Sequence, residues 1–136
     1  IREMGRNAAG VRAIKIGNDD KVISAGIVKA NDNTAEILVL SASGYGKKTK
    51  IKEYKVQNRG GSGIKTAKVT AKTGNLIAAK TIGSEGVDDL ELVAMSKKGQ
   101  VIRLDLKEVP SLGRQTQGVR IMKLRAGDSI AALVCL

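Results

Sequence analysis

The chain contains one short motif three times, and this internal repeat is the feature that most limits what the chain can fold into. Residues 4–16, MGRNAAGVRAIKI, align with residues 112–124, LGRQTQGVRIMKL, at a constant shift of 108. Residues 57–69, QNRGGSGIKTAKV, form a more divergent middle copy. Residues upstream of the motif also recur, since Ser41 precedes Ser96 by 55 positions. The chain is therefore built from units of about 55 residues.

Within each unit the apolar residues follow the pattern of β-strands. The runs EILVL and ELVAM are typical of short strands covered on both faces, and VIRLDLKEV alternates apolar and polar residues. The stretches GVRAIKI and GVRIMKL alternate in the same way, and helical periodicity is essentially missing. We predict an all-β chain of propeller-like repeats, forming a partial array of about 2.5 blades.

The repeat also predicts how the chain is organised. Residues 1–136 form a fragment of one domain, with approximate repeat pieces at 1–36, 37–91 and 92–136. The first residues, IREMGRNAAG, look like the middle of a longer chain and show no signal peptide. A partial array leaves at least one apolar blade face uncovered, and we expect that face to pair with another copy of the chain.

The charge balance indicates a polyanionic partner. Lys and Arg number 24 against 13 acidic residues, which gives a formal net charge of +11 and a pI of about 10.0. Nucleic acid is the favoured partner, because no apolar run is long enough to span a membrane. The chain has no histidine and a single cysteine, Cys135. We therefore predict no metal site, no cofactor in this fragment and no catalytic residue.

The positive charge is concentrated in residues 47–68, which hold eight Lys and Arg against Glu53 alone. Acidic residues cluster elsewhere, at Asp19, Asp20, Glu85, Asp88, Asp89 and Glu91. One interpretation is that the lysine-rich stretch keeps the chain soluble and protects a strand edge from pairing. However, each copy of the motif places an Arg four residues before a Gly, so the same cationic loop recurs. A periodic row of cations is suited to following a phosphate backbone.

We therefore predict duplex DNA as the ligand, bound through its charge and its ability to bend. No recognition helix is visible, and only two tyrosines could stack on unpaired bases. For Tyr45 and Tyr54 we favour packing or contact with the DNA backbone over catalysis. The predicted phosphate contacts are Arg6, Arg12, Lys47, Lys48, Lys50, Arg59, Lys65, Lys68, Arg103, Arg114 and Arg120.

The middle copy contains an unusual glycine-rich loop, QNRGGSG. We expect Gly60, Gly61 and Gly63 to allow positive φ and to bring backbone N–H groups close to a phosphate, while Arg59 supplies a charged, planar fork. The loop consists of Gln57, Asn58, Arg59, Gly60, Gly61, Ser62 and Gly63.

The chain resembles the C-terminal domain of the A subunit of bacterial DNA gyrase, in its later blades, over essentially all 136 residues. The resemblance is carried by MGRNAAGVR, GYGKKT, QNRGGSGIKT and GRQTQGVR. It implies a β-pinwheel, a ring of blades that exchange strands and wrap duplex DNA on a basic perimeter. QNRGGSG is similar to the family's gyrase box, Q-R-R-G-G-(K/R)-G, but Asn58 and Ser62 replace cations. These departures are consistent with a degenerate copy that follows a principal box in an earlier blade.

The resemblance implies a role in the ATP-dependent negative supercoiling of DNA. The fragment would wrap DNA, while ATP and Mg²⁺ would be used elsewhere in the intact type II topoisomerase. The implied partners are the B subunit of gyrase and the rest of the A subunit, in the bacterial cytoplasm and nucleoid. Two alternatives remain open: the corresponding domain of topoisomerase IV, and a propeller-like scaffold that binds an acidic protein. The five matching positions of the box favour gyrase.

Overall fold

The computed structural model describes residues 2–84 and 90–136, so the predicted acidic cluster at Glu85, Asp88 and Asp89 lies outside the described residues. The strands are β1 Glu36–Ser41, β2 Tyr45–Lys50, β3 Leu76–Ile82, β4 Glu91–Ser96, β5 Val101–Asp105, β6 Val119–Arg120 and β7 Ile130–Cys135. They form two antiparallel sheets, which we call the first sheet (β3-β1-β2-β6) and the second sheet (β5-β4-β7). Two short 3-10 turns follow β2 and β5, at Ile51–Glu53 and Leu106–Glu108. Among the described residues no helix has the length and apolarity needed to cross a membrane.

The first two strands of each sheet repeat the same pairing at a shift of 55 residues. Glu36 lies opposite Lys50 in the β1–β2 hairpin, and Glu91 lies opposite Asp105 in the β4–β5 hairpin. Each of these hairpins gains a third strand at its other edge, β3 in the first sheet and β7 in the second. The all-β, propeller-like prediction is confirmed.

The hairpin turns repeat as well. The backbone N–H of Tyr45 donates to Ser41 Oγ at 3.2 Å, and the N–H of Gln100 donates to Ser96 Oγ at 3.0 Å. In both sheets the register to the third strand shifts immediately before this serine. The serine therefore closes the turn in the same way in both units.

A strand is exchanged between the units. β6 belongs to the third copy of the motif but pairs with β2 of the first sheet, with Arg120 opposite Tyr45. Nearby, the N–H of Lys48 donates to Pro110 O at 2.9 Å, and the N–H of Leu112 donates to Lys48 O at 2.8 Å. β2 is therefore paired on both sides, and the interpretation that its lysines protect a free strand edge is wrong.

The motif copies form less strand than their alternation predicts. In GVRIMKL only Val119 and Arg120 are in a strand, while GVRAIKI contributes one isolated bridge, between Ile14 and Gly61. The reason is the availability of a partner: β2 accepts β6, whereas the described chain has no strand before residue 36 that could pair with the first copy. Alternation alone does not make a strand without a neighbour to complete its hydrogen bonds.

The core lies between the facing sides of the two sheets. Leu38 and Leu40 of β1 pack with Leu92 and Ala94 of β4 in two adjoining buried clusters. The other face of the second sheet is open, because Met95, Val101 and Val134 are 42%, 60% and 43% exposed. This face therefore carries exposed apolar side chains within the described residues, and its pairing with another copy of the chain stays a prediction.

Candidate nucleic-acid interface

The three copies of the motif are joined to each other by a repeated hydrogen bond. The N–H of Lys15 donates to Gly61 O at 2.9 Å, and the N–H of Lys68 donates to Thr116 O at 3.0 Å. Lys15 and Lys68 occupy the same place in the first and middle copies, as Gly61 and Thr116 do in the middle and third. In both cases the loop of one copy contacts the preceding copy, at the segment just after that copy's own loop.

The loops share one backbone shape. Gly10, Gly63 and Gly118 have φ values of 84°, 74° and 81°, in the left-handed region that favours glycine. At Gly118 a Cβ atom would also lie 2.5 Å from Gly46 O, because the third loop lies directly on β2. These glycines allow each copy to turn and to approach its neighbour.

The gyrase-box-like loop uses its glycines for contact within the protein. The N–H of Gly60 donates to Ala13 O at 2.8 Å, and the N–H of Gly61 donates to Asn58 O at 3.4 Å. The prediction that these two N–H groups are available to a phosphate is therefore wrong. Gly60 has the expected positive φ of 77°, whereas Gly61 does not lie in that region.

The side chains of this loop remain open to solvent. Gln57, Asn58, Arg59 and Ser62 are all exposed. Gln57 Nε2 makes only long hydrogen bonds, of 3.4 Å, to the carbonyl oxygens of the two residues before it. The loop can therefore offer the guanidinium of Arg59, but not the amides of Gly60 and Gly61, to a ligand.

Lys47 is buried rather than presented on a surface, with a relative exposure of 1%. Its Nζ donates to Gly113 O at 2.6 Å, to Arg114 O at 2.8 Å and to Thr116 Oγ1 at 3.1 Å. All three ammonium donors are used. Burial lowers the pKa of Lys47, and the carboxylate of Glu53 opposes that shift. Lys47 fastens the third loop to β2 and does not face a phosphate.

The two other predicted lysines of β2 differ from each other. The Lys48 side chain is 9% exposed, and its Nζ lies 3.6 Å from Glu36 Oε2. Lys50, at the end of the strand, is exposed. Lys48 is therefore neutralised within the first sheet, and Lys50 alone of the three remains open to a ligand.

The third loop brings predicted cations of two copies together. Arg114 Nη1 donates to Lys65 O at 3.0 Å, and the Arg114 guanidinium lies 6.0 Å from the centroid of the Tyr54 ring. The hydroxyl of Tyr54 is hydrogen-bonded in turn to Thr66. Lys65 and Lys68 are exposed beside this contact. Tyr54 thus has a packing role that orients Arg114.

The remaining predicted residues lie in two places. Arg6 and Arg12 are exposed in the first copy. Arg103 lies on the open face of the second sheet, where it is ion-paired with Glu91 while 67% of its side chain stays exposed. Arg103 therefore lies on a different element from the predicted cations of the motif copies.

The predicted contacts leave out three exposed lysines, Lys15, Lys123 and Lys72. Lys15, Lys68 and Lys123 occupy one position of the three copies, yet only Lys68 was among the predicted contacts. The repeat itself could have identified the other two. The third, Lys72, lies outside the motif, and only the structure reveals it, with its Nζ 5.5 Å from the centroid of the Tyr45 ring.

We call the open cations of the three motif copies the cation row. Its members share the motif and a charged group that is exposed or half-exposed: Arg6, Arg12, Lys15, Arg59, Lys65, Lys68, Arg114, Arg120 and Lys123. Within residues 2–84 and 90–136, no three Cys, Asp or Glu side chains gather as metal ligands. The chemistry that the row offers is the neutralisation of anions at several successive points.

Comparison with known proteins identifies relatives of the chain. The family described as DNA gyrase C-terminal domain, beta-propeller matches residues 1–29, 35–82 and 90–136. The A subunit of DNA gyrase from Lawsonia intracellularis is 44% identical over 127 residues, which is 93% of this chain and 15% of that protein. Its counterpart from Mycolicibacterium smegmatis is 40% identical over 133 residues, 98% of this chain and 15% of that protein. This chain spans about 15% of the length of these relatives.

Two solved structures share the fold. A DNA gyrase A C-terminal domain covers 72% of this chain with a TM-score of 0.65 and 24% identity, over 32% of its own length. The C-terminal domain of DNA topoisomerase IV covers 94% with a TM-score of 0.79 and 16% identity, over 38% of its own length. At these identities the likeness concerns the fold alone.

Proposed function

The chain belongs to the family of DNA gyrase C-terminal β-propeller domains, and from that premise we propose that it binds duplex DNA without sequence specificity and wraps it. The cation row is the observation that carries the proposal. The copies are linked by the same backbone hydrogen bond, and the cations of the row are all exposed or half-exposed, which supports a continuous basic track. A row of this kind can track a phosphate backbone and release a counterion at each contact.

In the intact protein this wrapping would support ATP-dependent negative supercoiling by a type II topoisomerase. Each of the two tyrosines is engaged by an arginine, Tyr45 by Arg120 and Tyr54 by Arg114, which supports a packing role for both. Catalysis, ATP and Mg²⁺ would then belong to a B subunit or to the rest of the A subunit. We place the assembly in the bacterial cytoplasm, at the nucleoid.

The open face of the second sheet is the proposed contact with the rest of the A subunit. Leu38 and Leu40 are buried by the second sheet, whereas Val93 and Met95, 55 residues later, have no such cover among the described residues. A following blade of a longer chain would cover them. The isolated chain is expected to self-associate through this face, and Met95→Lys should reduce that association in sedimentation experiments.

The experiment that tests DNA binding measures affinity for duplexes of increasing length at several salt concentrations. We expect affinity to rise with length, and the slope of log K against log salt to indicate several released counterions, each contributing about 0.9. Weak binding that does not depend on length would contradict the proposal.

A charge-matched pair of variants shows whether the row carries the binding. Arg59→Ala with Lys65→Ala removes two exposed cations of the row and should make the slope shallower by about 2. The control removes Lys80, on the sheet edge opposite β6, and Lys107, in the turn after β5. Equal losses in both variants would indicate that net charge, not the row, determines binding.

The alternatives make different predictions. A scaffold for an acidic protein should bind DNA weakly and with little dependence on length. A topoisomerase IV domain would share the fold, but the curated relatives at 38–44% identity are gyrase A subunits. Gyrase therefore remains the favoured assignment.

A further inference from the structure

A small cationic cleft, which we call the Tyr45 cleft, lies where the third motif copy crosses the start of β2. It encloses about 260 Å³. Its polar lining is Ser43, Tyr45, Lys72, Arg120, Lys123 and Asp128. Arg120 and Lys123 are members of the cation row, so the cleft continues that row toward Lys72.

The cleft has an excess of positive charge that the described chain does not neutralise. Among the described residues, none of Lys72, Arg120 and Lys123 forms an ion pair with an acidic side chain. The one carboxylate present, Asp128, accepts hydrogen bonds from Ser96 Oγ at 2.6 Å and from the N–H of Lys98 at 3.1 Å. Three cations therefore face one carboxylate that is already hydrogen-bonded elsewhere.

Tyr45 is in contact with two of these cations. Arg120 Nη2 donates to the Tyr45 hydroxyl at 3.1 Å with its guanidinium 5.6 Å from the ring centroid, and Lys72 Nζ lies 5.5 Å from the same centroid. The Tyr45 residue is 7% exposed. Because the hydroxyl oxygen accepts from Arg120, its proton is left to donate, and no described group accepts it. The cleft thus offers hydrogen-bond donors from several sides.

The backbone beneath the cleft is held in place by hydrogen bonds to Gly44. The N–H groups of Ile121 and Met122 both donate to Gly44 O, at 2.8 and 3.2 Å. A Cβ atom at Gly44, where φ is 81°, would collide with Met122 O. The backbone that carries Arg120 is therefore fixed against the start of β2 before a ligand arrives, which reduces the entropy lost on binding.

We propose that the Tyr45 cleft binds one phosphodiester group of duplex DNA, through Lys72, Lys123, Arg120 and the Tyr45 hydroxyl. A tetrahedral anion with several acceptor oxygens suits convergent donors, and the planar guanidinium is the side chain best shaped for phosphate. The inference rests on the proposed function and adds a specific contact outside the gyrase-box-like loop. DNA and free phosphate present the same kind of anionic oxygens, so the binding of inorganic phosphate has to be compared with that of DNA.

Tyr45 itself reports on occupancy. The hydrogen bond from Arg120, and to a lesser extent the proximity of Lys72, hold the pKa of Tyr45 below its ordinary value of 10.0. An anion bound between these cations would disfavour the phenolate and raise the pKa again. In a Tyr54→Phe variant Tyr45 is the sole tyrosine of the chain, so the ring signals of isotope-labelled tyrosine in an NMR spectrum follow its ionisation alone, also when DNA is bound.

The test titrates Tyr45 in Tyr54→Phe with no ligand, with a short duplex and with inorganic phosphate at the same ionic strength. We expect the duplex to raise the Tyr45 pKa and inorganic phosphate to leave it nearly unchanged. An equal rise with inorganic phosphate would overturn the assignment to DNA. An unchanged pKa with the duplex bound would overturn the cleft as a phosphate site.

A second measurement separates the cleft from the rest of the row. Lys72→Ala with Lys123→Ala should make the salt slope shallower by about 0.9, the value for one phosphate, while Lys80→Ala with Lys107→Ala leaves it unchanged. If wild-type protein binds DNA but the cleft variant keeps its slope, the cleft fails and the proposed function stands. If wild-type protein does not bind duplex DNA, both fail.

Discussion

β2 and β5 occupy the same place in two copies of one repeat, but they meet different surroundings. At the shift of 55 residues, Lys47 of β2 corresponds to Ile102 of β5. β2 is paired on both sides and faces the third motif loop, whose carbonyl and hydroxyl oxygens accept all three Lys47 donors. β5 is the outer strand of its sheet within the described chain. A lysine in a sheet interior is tolerated where a neighbouring unit supplies acceptors.

The same contrast holds for the apolar faces. Leu40 is 1% exposed and Met95, its counterpart, is 42% exposed, because only the first sheet has a second sheet packed on that face. Strands at equivalent positions of the repeat therefore contribute different amounts to the free energy of unfolding. Paired variants at equivalent positions can measure this difference.

The largest difference is expected in the core. Leu40→Ala should lower the free energy of unfolding by about 3 kcal/mol, since it removes a buried side chain and leaves a cavity. Met95→Ala should cost less than about 1 kcal/mol, since its side chain is already partly in water. Urea denaturation of both variants measures the two values. Similar losses would show that the second sheet has a cover like that of the first.

The next largest difference concerns the hairpin turns. Gly44 and Gly99 have φ values of 81° and 83°, so an alanine at either position costs about 1–2 kcal/mol for the left-handed conformation. At Gly44 a Cβ also meets Met122 O, whereas at Gly99 it meets nothing within 4 Å. This clash should weaken the hydrogen bonds that the Gly44 carbonyl accepts from Ile121 and Met122. Gly44→Ala should therefore cost about 1 kcal/mol more for each of these bonds that is lost. Equal melting temperatures for the two variants would contradict this account.

Lys47 provides a third test. Lys47→Met keeps most of the side-chain volume but leaves Gly113 O and Arg114 O without this donor, which should cost about 2 kcal/mol. Ile102→Met at the equivalent position should cost less than about 1.5 kcal/mol. Chemical denaturation compares the two. If Lys47→Met is as stable as wild type, the ammonium does not fasten the third loop.

The smallest effect is a local dependence on pH in the second unit. Burial raises the pKa of Asp128, but hydrogen bonds from Ser96, Ser129 and Lys98 outweigh it, and the pKa is lowered from 3.8. Because the folded pKa lies below the unfolded one, the stabilisation is present above about pH 3.8 and is lost as the pH falls through the folded value. The corresponding loop of the first unit is closed by Thr70 and Thr73, which do not titrate.

Backbone amide resonances of Lys98 and Ser129, followed by NMR as the pH is lowered, measure this effect. They should shift in wild-type protein and stay constant in Asp128→Asn. The amide of Thr70, bonded to Thr73 Oγ1 in the first unit, serves as the internal reference. A shift of that amide over the same range would show that acid acts on the whole fold and not on Asp128.

The repeat, the short apolar runs and the alternating stretch allowed β1, β4 and β5 to be predicted from the sequence, because hydrophobic period is a local signal. The location of the lysines was not predictable in the same way. Lys47 and Lys50 both belong to one basic run. Lys47 is buried because β6 pairs with β2 and brings the third loop onto this lysine. The Tyr45 cleft depends on the same pairing, since Arg120 lies 75 residues from Tyr45 in the sequence.

The most direct test of the cation row is the ¹H–¹⁵N NMR spectrum of the chain titrated with a short DNA duplex. We predict that the perturbed resonances belong to the three motif copies and the Tyr45 cleft, around Arg12, Arg59, Lys65, Arg114 and Lys72, while those of Met95 and Val134 on the open apolar face stay unchanged. Perturbations spread evenly over every lysine and arginine, with Lys80 and Lys107 shifting as much as Lys65, would contradict it.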